Sequence, residues 1–345
     1  MKWQHGCLSL GEQVANCFVT GGTGFVGSHI LNLLCDKHHS VFSLARETSV
    51  LGFLPQGVMT VRGDVTDLDA LTNAVPKDTE WFFHNAGVMA DWGGKTHFYP
   101  VNVEGTHNVL ETVRRKDIPR LIHTSSTGVY GFPDSSQPLD EEAPKRPEGF
   151  YQKSKYEGEK LIEQYSKDYG IKATVVRPPT VLGPHDMFTA PQIVDRVAKG
   201  SMVYFGDGTN LISFAHAEDV AACQVAAAER FDKSAGNAYN VISFTCQFKE
   251  LLQTIESQLN PPATGRLRRV PYRAALTLGT LMGGTYSAFR SKKAPLLTSF
   301  RVKLFGTTYI IDDSKARREL GYTPKHNLES TVKSMLTRVE SFKPR

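Results

Sequence analysis

Tyr151 and Lys155 stand four residues apart in the run Tyr151-Gln-Lys-Ser-Lys155. On a helix that spacing puts both side chains on one face, one turn apart. A free tyrosine titrates at about 10, too high for a base at neutral pH. A neighbouring ammonium favours the phenolate, so Lys155 is expected to lower the value of Tyr151. Such a phenol gives a proton to an alkoxide or takes one from an alcohol. Ser125 or Ser126, in the upstream run Thr124-Ser-Ser126, offers a hydroxyl to hold the reacting oxygen. The same tyrosine–lysine spacing also occurs on ordinary amphipathic helices, so the chemistry needs a second signal.

That signal is Gly21-Gly-Thr-Gly24-Phe-Val-Gly27 near the N-terminus. The apolar run at residues 16–20 reads as a buried strand, and residues 28–35 follow with helical periodicity. In a strand–turn–helix unit, Gly21 permits the tight turn. Gly24 lets the backbone approach a pyrophosphate resting on the helix N-terminus, and Gly27 lets helix and strand pack closely. The spacing is GxxGxxG. A dinucleotide site and a proton-transfer pair on one chain point to hydride transfer at a carbinol or carbonyl carbon.

The first half supplies elements to position both. Residues 17–20, 40–45, 58–62, 80–84, 120–124 and 172–177 read as strands, with helical patterns at 102–116 and 150–169. Such alternation gives a doubly wound α/β parallel sheet, with ligands at the carboxyl ends of its strands. Gly63-Asp64, Asn85-Ala86-Gly87, Thr124-Ser-Ser126 and Pro178-Pro179 all follow strand candidates, so the special residues gather on one edge. We divide the chain into a tail (1–15), a dinucleotide-binding domain (16–178) and a smaller, less regular substrate lobe (179–345) with some segments returning to the first domain.

The 345-residue chain exceeds a typical single domain, and 40% hydrophobic with 22% charged residues is ordinary for a soluble globular protein. The net charge of +5 comes without a nucleic-acid-binding motif, so Arg266, Arg268, Arg269, Arg273, Lys292 and Lys293 read as a solvated face. Five scattered cysteines without a CxxC imply reduced thiols in a cytoplasmic setting and no metal site. The tail does not resemble a signal peptide. The apolar stretch 274–289 is too short to span a bilayer. We read it as a core helix of the small lobe; contact with a membrane surface or a lid over an apolar pocket are its alternatives.

The ordered motifs GGTGFVG, GDVTD (63–67), HNAG (84–87), VNVEGT (101–106), TSSTGVYG (124–131), YQKSK, RPPTVLGP (177–184) and FAHAEDVA (214–221) resemble the extended short-chain dehydrogenase/reductase family over nearly the whole chain. The resemblance implies that Ser126, Tyr151 and Lys155 are the catalytic trio, that Asp64 meets an adenine, and that Asn85–Gly87 lies along the cofactor. It implies further cofactor contacts at Gly21, Thr23, Gly24, Phe25, Val26, Gly27, Val65, Asn102, Thr124, Pro178, Thr180 and Val181. Met89 and Trp92, with Ser125 and Ser126, are candidate substrate contacts. His84, His123 and His216 read as structural. Homodimers in the family often form through the helices at 102–116 and 150–169.

Departures narrow the branch. Ser126-Thr127-Gly128 replaces the Thr-Asp-Glu of sugar-nucleotide dehydratases, which disfavours water elimination. Epimerases usually place Arg-Asp before the Phe of the FxH motif, where the arginine grips a diphosphate; here that stretch holds Ile212, which cannot. Gly206-Asp-Gly-Thr-Asn-Leu211 instead resembles the 3β-hydroxysteroid dehydrogenase/isomerase-like branch, which includes sterol-4-carboxylate 3-dehydrogenases and 2-alkyl-3-oxoalkanoate reductases. The implied substrate is an apolar secondary alcohol or ketone. The alternatives are a nucleotide-sugar epimerase or reductase retaining NAD, and a non-catalytic dinucleotide sensor. After the second strand Ala45 stands where NAD-preferring enzymes carry an acid, and Arg46 follows, which favours NADP(H) over NAD(H).

Overall fold

The computed structural model describes residues 14–339, other than 261, 264, 290 and 292. Residues 1–13 of the expected tail, and Arg290 and Lys292, lie outside the described residues.

Seven strands form the main sheet: β1 (Asn16–Thr20), β2 (Ser40–Ala45), β3 (Met59–Arg62), β4 (Trp81–His84), β5 (Arg120–Thr124), β6 (Ala173–Arg177) and β7 (Ala238–Asn240). Their order is β3-β2-β1-β4-β5-β6-β7, and every pair is parallel. Both faces are therefore covered by helices. The two-residue period of a strand divides its side chains between two cores. Cys17, Val19, Trp81, Phe83 and Ile122 pack beneath the helices Phe25–Asp36 and Ala217–Glu229. Phe18, Phe82 and Leu121 point the other way, against Gly105–Arg115 and Phe150–Tyr169. The strand order reverses between β1 and β4, the switch point where such sheets open a crevice.

Beyond β6 a second, mixed sheet runs Phe244–Gln247, Leu211–His216, Tyr309–Ile311, Ser135–Leu139, with Thr180–Leu182 beside Leu211–His216. It shares a core with Ile193, Val194 and Val197 of the helix Thr189–Ala198, and with Phe248, Leu251 and Ile255 of Phe248–Gln258. The halves exchange elements: Ser135–Leu139 leaves the first half for the second sheet, while β7 and Ala217–Glu229 return.

Two expectations are corrected. The helix at 102–116 opens as a π-helical turn, Pro100–Glu104, and only Gly105–Arg115 is α-helical; Pro100 has no N–H for the ladder. The stretch 274–289 is helical, as Tyr272–Ala288, but it is not a core helix. Only Ala275 and Gly279 are buried, while Leu278 is 52% and Leu281 63% exposed. The helix rests on the Ser299–Gly306 helix by its small-residue side: a Cβ on Gly279 would meet the Ser299 amide at 3.0 Å. No further layer covers its outer face among the described residues. Nor is any helix there long and apolar enough to cross a membrane.

Candidate active site

A cavity of ≈ 570 Å³ runs from the carboxyl ends of β1, β2, β4 and β5 into the second lobe. The glycine turn forms one end. Gly21 has φ +71° and its carbonyl accepts from the Gly24 amide at 2.9 Å. A Cβ on Gly27 would lie 2.0 Å from the Gly21 oxygen, so this glycine sets helix–turn packing and does not reach the cavity wall. The helix Phe25–Asp36 begins here without a side-chain cap or an acidic residue in its first turn. Its free N–H groups face the cavity, the usual seat for an anion.

The remaining cofactor candidates gather in the same wall: Thr23, Phe25, Val26, Asp64, Val65, Asn85, Ala86, Gly87, Thr124, Pro178, Thr180 and Val181. At the end of β2, Ala45 is buried and Arg46 lines the cavity, while Glu47 does not. Ser49 Oγ accepts from the Arg46 amide (3.1 Å) and from Thr23 Oγ1 (3.4 Å). The Arg46 guanidinium carries no hydrogen bond or ion pair among the described residues.

At the centre, the helix Phe150–Tyr169 presents Tyr151 and Lys155 to the end of β5. Tyr151 and Ser126 line the cavity together, and Ser126 Oγ accepts from the Gly128 amide at 3.0 Å. Ser125, the other serine considered, lines the cavity with a buried hydroxyl that has no partner among the described residues. Burial pushes Tyr151 above its ordinary value, and the neighbouring Ser126 side chain opposes this. Tyr151 thus lies above its ordinary value where a lowering beside Lys155 was expected, and Lys155 Nζ donates to the Thr124 carbonyl at 2.7 Å. Burial brings Lys155 down to about 8, against the pull of Glu159.

Beneath the ammonium lie two imidazoles. His84 spans Thr20 Oγ1 (2.9 Å) and Thr106 Oγ1 (3.1 Å), and burial holds it down to about 3. His123, 5.1 Å away by ring centroids, is also pushed well below its usual value by burial. Both are neutral and structural.

Like Gly27, one further candidate stands away from the wall. Asn102 is buried away from the cavity wall. Its amide donates to the Val88 carbonyl (2.9 Å) and to Ser154 Oγ (2.9 Å), and its Oδ1 accepts from the Val88 amide (2.7 Å). It staples the loop after β4 to the catalytic helix, and its side-chain polar groups are used up doing so. Trp92 lines a smaller adjoining cavity with Tyr151 and Phe300; its indole N–H donates to the Ser291 carbonyl at 3.1 Å, and its ring meets Tyr286 edge-on. Met89, half exposed, does line the cavity.

The far end is walled by side chains the sequence reading passed over, among them Phe132, Phe188, Phe205, Phe300 and Leu304. Ile212 is buried in the same wall, so an apolar branch stands where an arginine would hold a diphosphate. Thr189, Gln192, Ile193 and Arg196 line it together. Their i, i+3, i+4, i+7 spacing marks one helical face, a signal that periodicity alone would have revealed. Arg301 pairs with Asp91 across the entrance. Elsewhere, His216, Glu218 and His326 place possible ligand atoms within 4.8 Å of one another. His216 Nδ1 accepts from the Glu218 amide at 3.2 Å and its Nε2 meets Ser334 Oγ at 3.1 Å, which makes it a helix cap.

Residues 17–241 match the family model described as the NAD dependent epimerase/dehydratase family. The chain is similar to a 2-alkyl-3-oxoalkanoate reductase of Stenotrophomonas maltophilia (26% identity, 92% of this chain, 97% of that protein). It is similar to the decarboxylating sterol-4-alpha-carboxylate 3-dehydrogenase of Mus musculus (28% identity, 96% and 92% covered). In fold it resembles the UDP-glucose 4-epimerase of Thermus thermophilus solved in complex with NAD (TM-score 0.75, 21% identity, 95% and 100% covered).

Proposed function

Since this chain belongs to the NAD dependent epimerase/dehydratase family, we propose that it is an oxidoreductase moving a hydride between a nicotinamide and a secondary alcohol or ketone on an apolar substrate. A bound NAD(P) supplies the hydride donor or acceptor. The observation that carries this reading is the convergence of Ser126, Tyr151 and Lys155 in one wall, between the glycine-turn end of the cavity and its apolar end. Ser126 holds the substrate oxygen, and Tyr151 passes it a proton as the carbonyl becomes an alkoxide. The raised value of Tyr151 keeps the phenol protonated at neutral pH, the form that serves ketone reduction. Lys155, anchored on the Thr124 carbonyl, holds positive charge beside Gly87: a Cβ placed there would lie 3.3 Å from its Nζ. The names of the two relatives, a reductase of 3-oxoalkanoates and a dehydrogenase of a sterol carboxylate, fit an apolar substrate with a ring or chain.

The test is NAD(P)H oxidation with hydrophobic ketones and β-keto acids, comparing Tyr151→Phe with the unmodified protein. We expect a loss of roughly 10²–10⁴-fold with cofactor binding, followed by nicotinamide fluorescence, unchanged. Full activity in Tyr151→Phe, or turnover of UDP-sugars alone, would overturn the assignment.

Three finer proposals follow. Preference for NADPH is supported by Arg46 in the wall and the absence of an acid there at the end of β2. A homodimer through Gly105–Arg115 and Phe150–Tyr169 predicts twice the 38.2 kDa chain mass in sedimentation equilibrium. Contact with a membrane surface is supported by exposed Leu278, Leu281 and Phe289 beside Leu296, which is 69% exposed and also lines the cavity.

A further inference from the structure

We infer that Arg196 is the anion-recognising residue of the substrate end, and that the substrate is an apolar oxo- or hydroxy-acid whose carboxylate it binds. This rests on the reading of that end as the substrate site. Four cationic side chains line the cavity: Arg46, Lys155, Arg196 and Arg301. Lys155 donates to the Thr124 carbonyl and Arg301 is neutralised by Asp91. Arg46 sits at the end of β2, with the glycine turn. Among the described residues, Arg196 is therefore the cavity-lining cation of the second lobe that has no hydrogen bond or ion pair from its side chain.

The nearby acids are occupied. Asp195 pairs with Lys199 at 2.8 Å. Asp186 also lines the cavity, but its two oxygens accept from the amides of Phe188 (2.7 Å), Thr189 (3.0 Å) and Ala190 (2.7 Å) at the opposite end of the helix. At 1.5 Å rise per residue, that end is ~12 Å from Arg196. The same cavity wall carries the apolar Ile193, Met202, Phe205 and Ile212 beside the uncharged Thr189 and Gln192. A half-buried charge among such neighbours is costly without a partner, and a planar guanidinium is matched by a carboxylate in bidentate geometry. Tyr151 and Arg196 stand on different elements of one cavity. A ligand satisfying both carries its carbonyl or hydroxyl at one point and its carboxylate at another, joined by an apolar frame.

The experiment uses the full chain saturated with its preferred cofactor, with dodecanoic acid and dodecan-1-ol as probes. Their binding is measured by calorimetry in the unmodified protein, Arg196→Met and Arg196→Lys, each checked for native circular dichroism. We expect the acid to bind about tenfold to a hundredfold more tightly than the alcohol. Arg196→Met should erase that preference with little change for the alcohol, and Arg196→Lys should retain part of it. In turnover, Arg196→Met should raise KM for a 3-oxo acid by a far larger factor than for a neutral ketone. Equal binding of acid and alcohol, binding of neither, or equal weakening of both by Arg196→Met (a packing role for the side-chain stem) would overturn the inference. Acid-selective binding through Arg196 without any hydride transfer would leave it standing and reject the oxidoreductase reading. Ketone turnover without acid preference would do the reverse.

Discussion

Replacing Lys155 by methionine should separate what this residue costs the fold from what it gives the site. Its ammonium is buried, and its pKa falls from 10.5 to about 8. At about 1.4 kcal/mol per tenfold change, the charged form is disfavoured in the fold by ~3 kcal/mol. The sign follows from linkage. Below pH 8 both folded and unfolded chains hold the proton, and the full cost is present. Above it the folded chain releases the proton while the unfolded chain keeps it up to 10.5, so stability rises with pH across that window. Between pH 7 and pH 9 about 1.4 kcal/mol is recovered. The methionine variant lacks this term but leaves the Thr124 carbonyl without its donor, a loss of about 1–3 kcal/mol that does not depend on pH. The two effects nearly cancel at pH 7, so the diagnostic quantity is the pH slope. Urea denaturation of both proteins at pH 7, 8 and 9 should show the unmodified chain gaining stability on Lys155→Met as pH rises, while the variant loses turnover throughout. A stability difference that stays flat over this range would refute the buried, depressed ammonium.

Three further substitutions test separate parts of the cavity. Gly27→Ala drives a Cβ to 2.0 Å from the Gly21 oxygen, where only backbone can yield; we expect about 1–3 kcal/mol of destabilisation in denaturant melts and loss of cofactor-induced nicotinamide fluorescence. Arg46→Ala should raise the dissociation constant for NADPH by about tenfold to a hundredfold and leave that for NADH unchanged, and equal effects on both would remove the argument for a 2′-phosphate contact. Leu281→Asp places a charge on the exposed side chain at the middle of the Tyr272–Ala288 helix. If that face meets lipid, co-sedimentation with anionic vesicles falls sharply, whereas unaltered binding, or none to begin with, rejects membrane contact.

What was legible in the sequence is what local rules determine. The strands β1 to β6 and the helix Phe150–Tyr169 follow from periodicity and turn residues, and the glycine turn from backbone geometry. Apart from the π-helical turn at Pro100, the misreadings involve tertiary partners. Spacing put Lys155 on the face of Tyr151, but it did not say that the flexible side chain would end on the Thr124 carbonyl. Asn102 belongs to a motif at the cofactor, yet its amide is consumed by Val88 and Ser154, the latter 52 residues away. Trp92 is fixed by a carbonyl 199 residues downstream. The apolar composition of 274–289 reports a wish for burial, and composition cannot reveal whether a covering layer exists. Arg196 was passed over because a lone arginine on an amphipathic helix is ordinary until the acids around it are seen to be engaged.

Charge divides the cavity between its halves. The first half contributes an uncapped helix N-terminus and the residues Ser126, Tyr151 and Lys155 to the cavity wall. The second half decides what is brought to them, and there the balance has shifted. Ile212 gives the strand Leu211–His216 an apolar face toward the cavity, and the one uncompensated cation of the described wall in that lobe is Arg196, on the neighbouring helix. A diphosphate carries more than one negative charge and would be stripped of water against Phe205, Ile212 and Phe300 with a single guanidinium to meet it, which costs more than it returns. A carboxylate carries one charge, matches one guanidinium, and leaves its hydrocarbon to the aromatic wall. On the proposed reading, the cavity then favours apolar acids over nucleotide sugars, and the selection falls to second-lobe residues away from Tyr151.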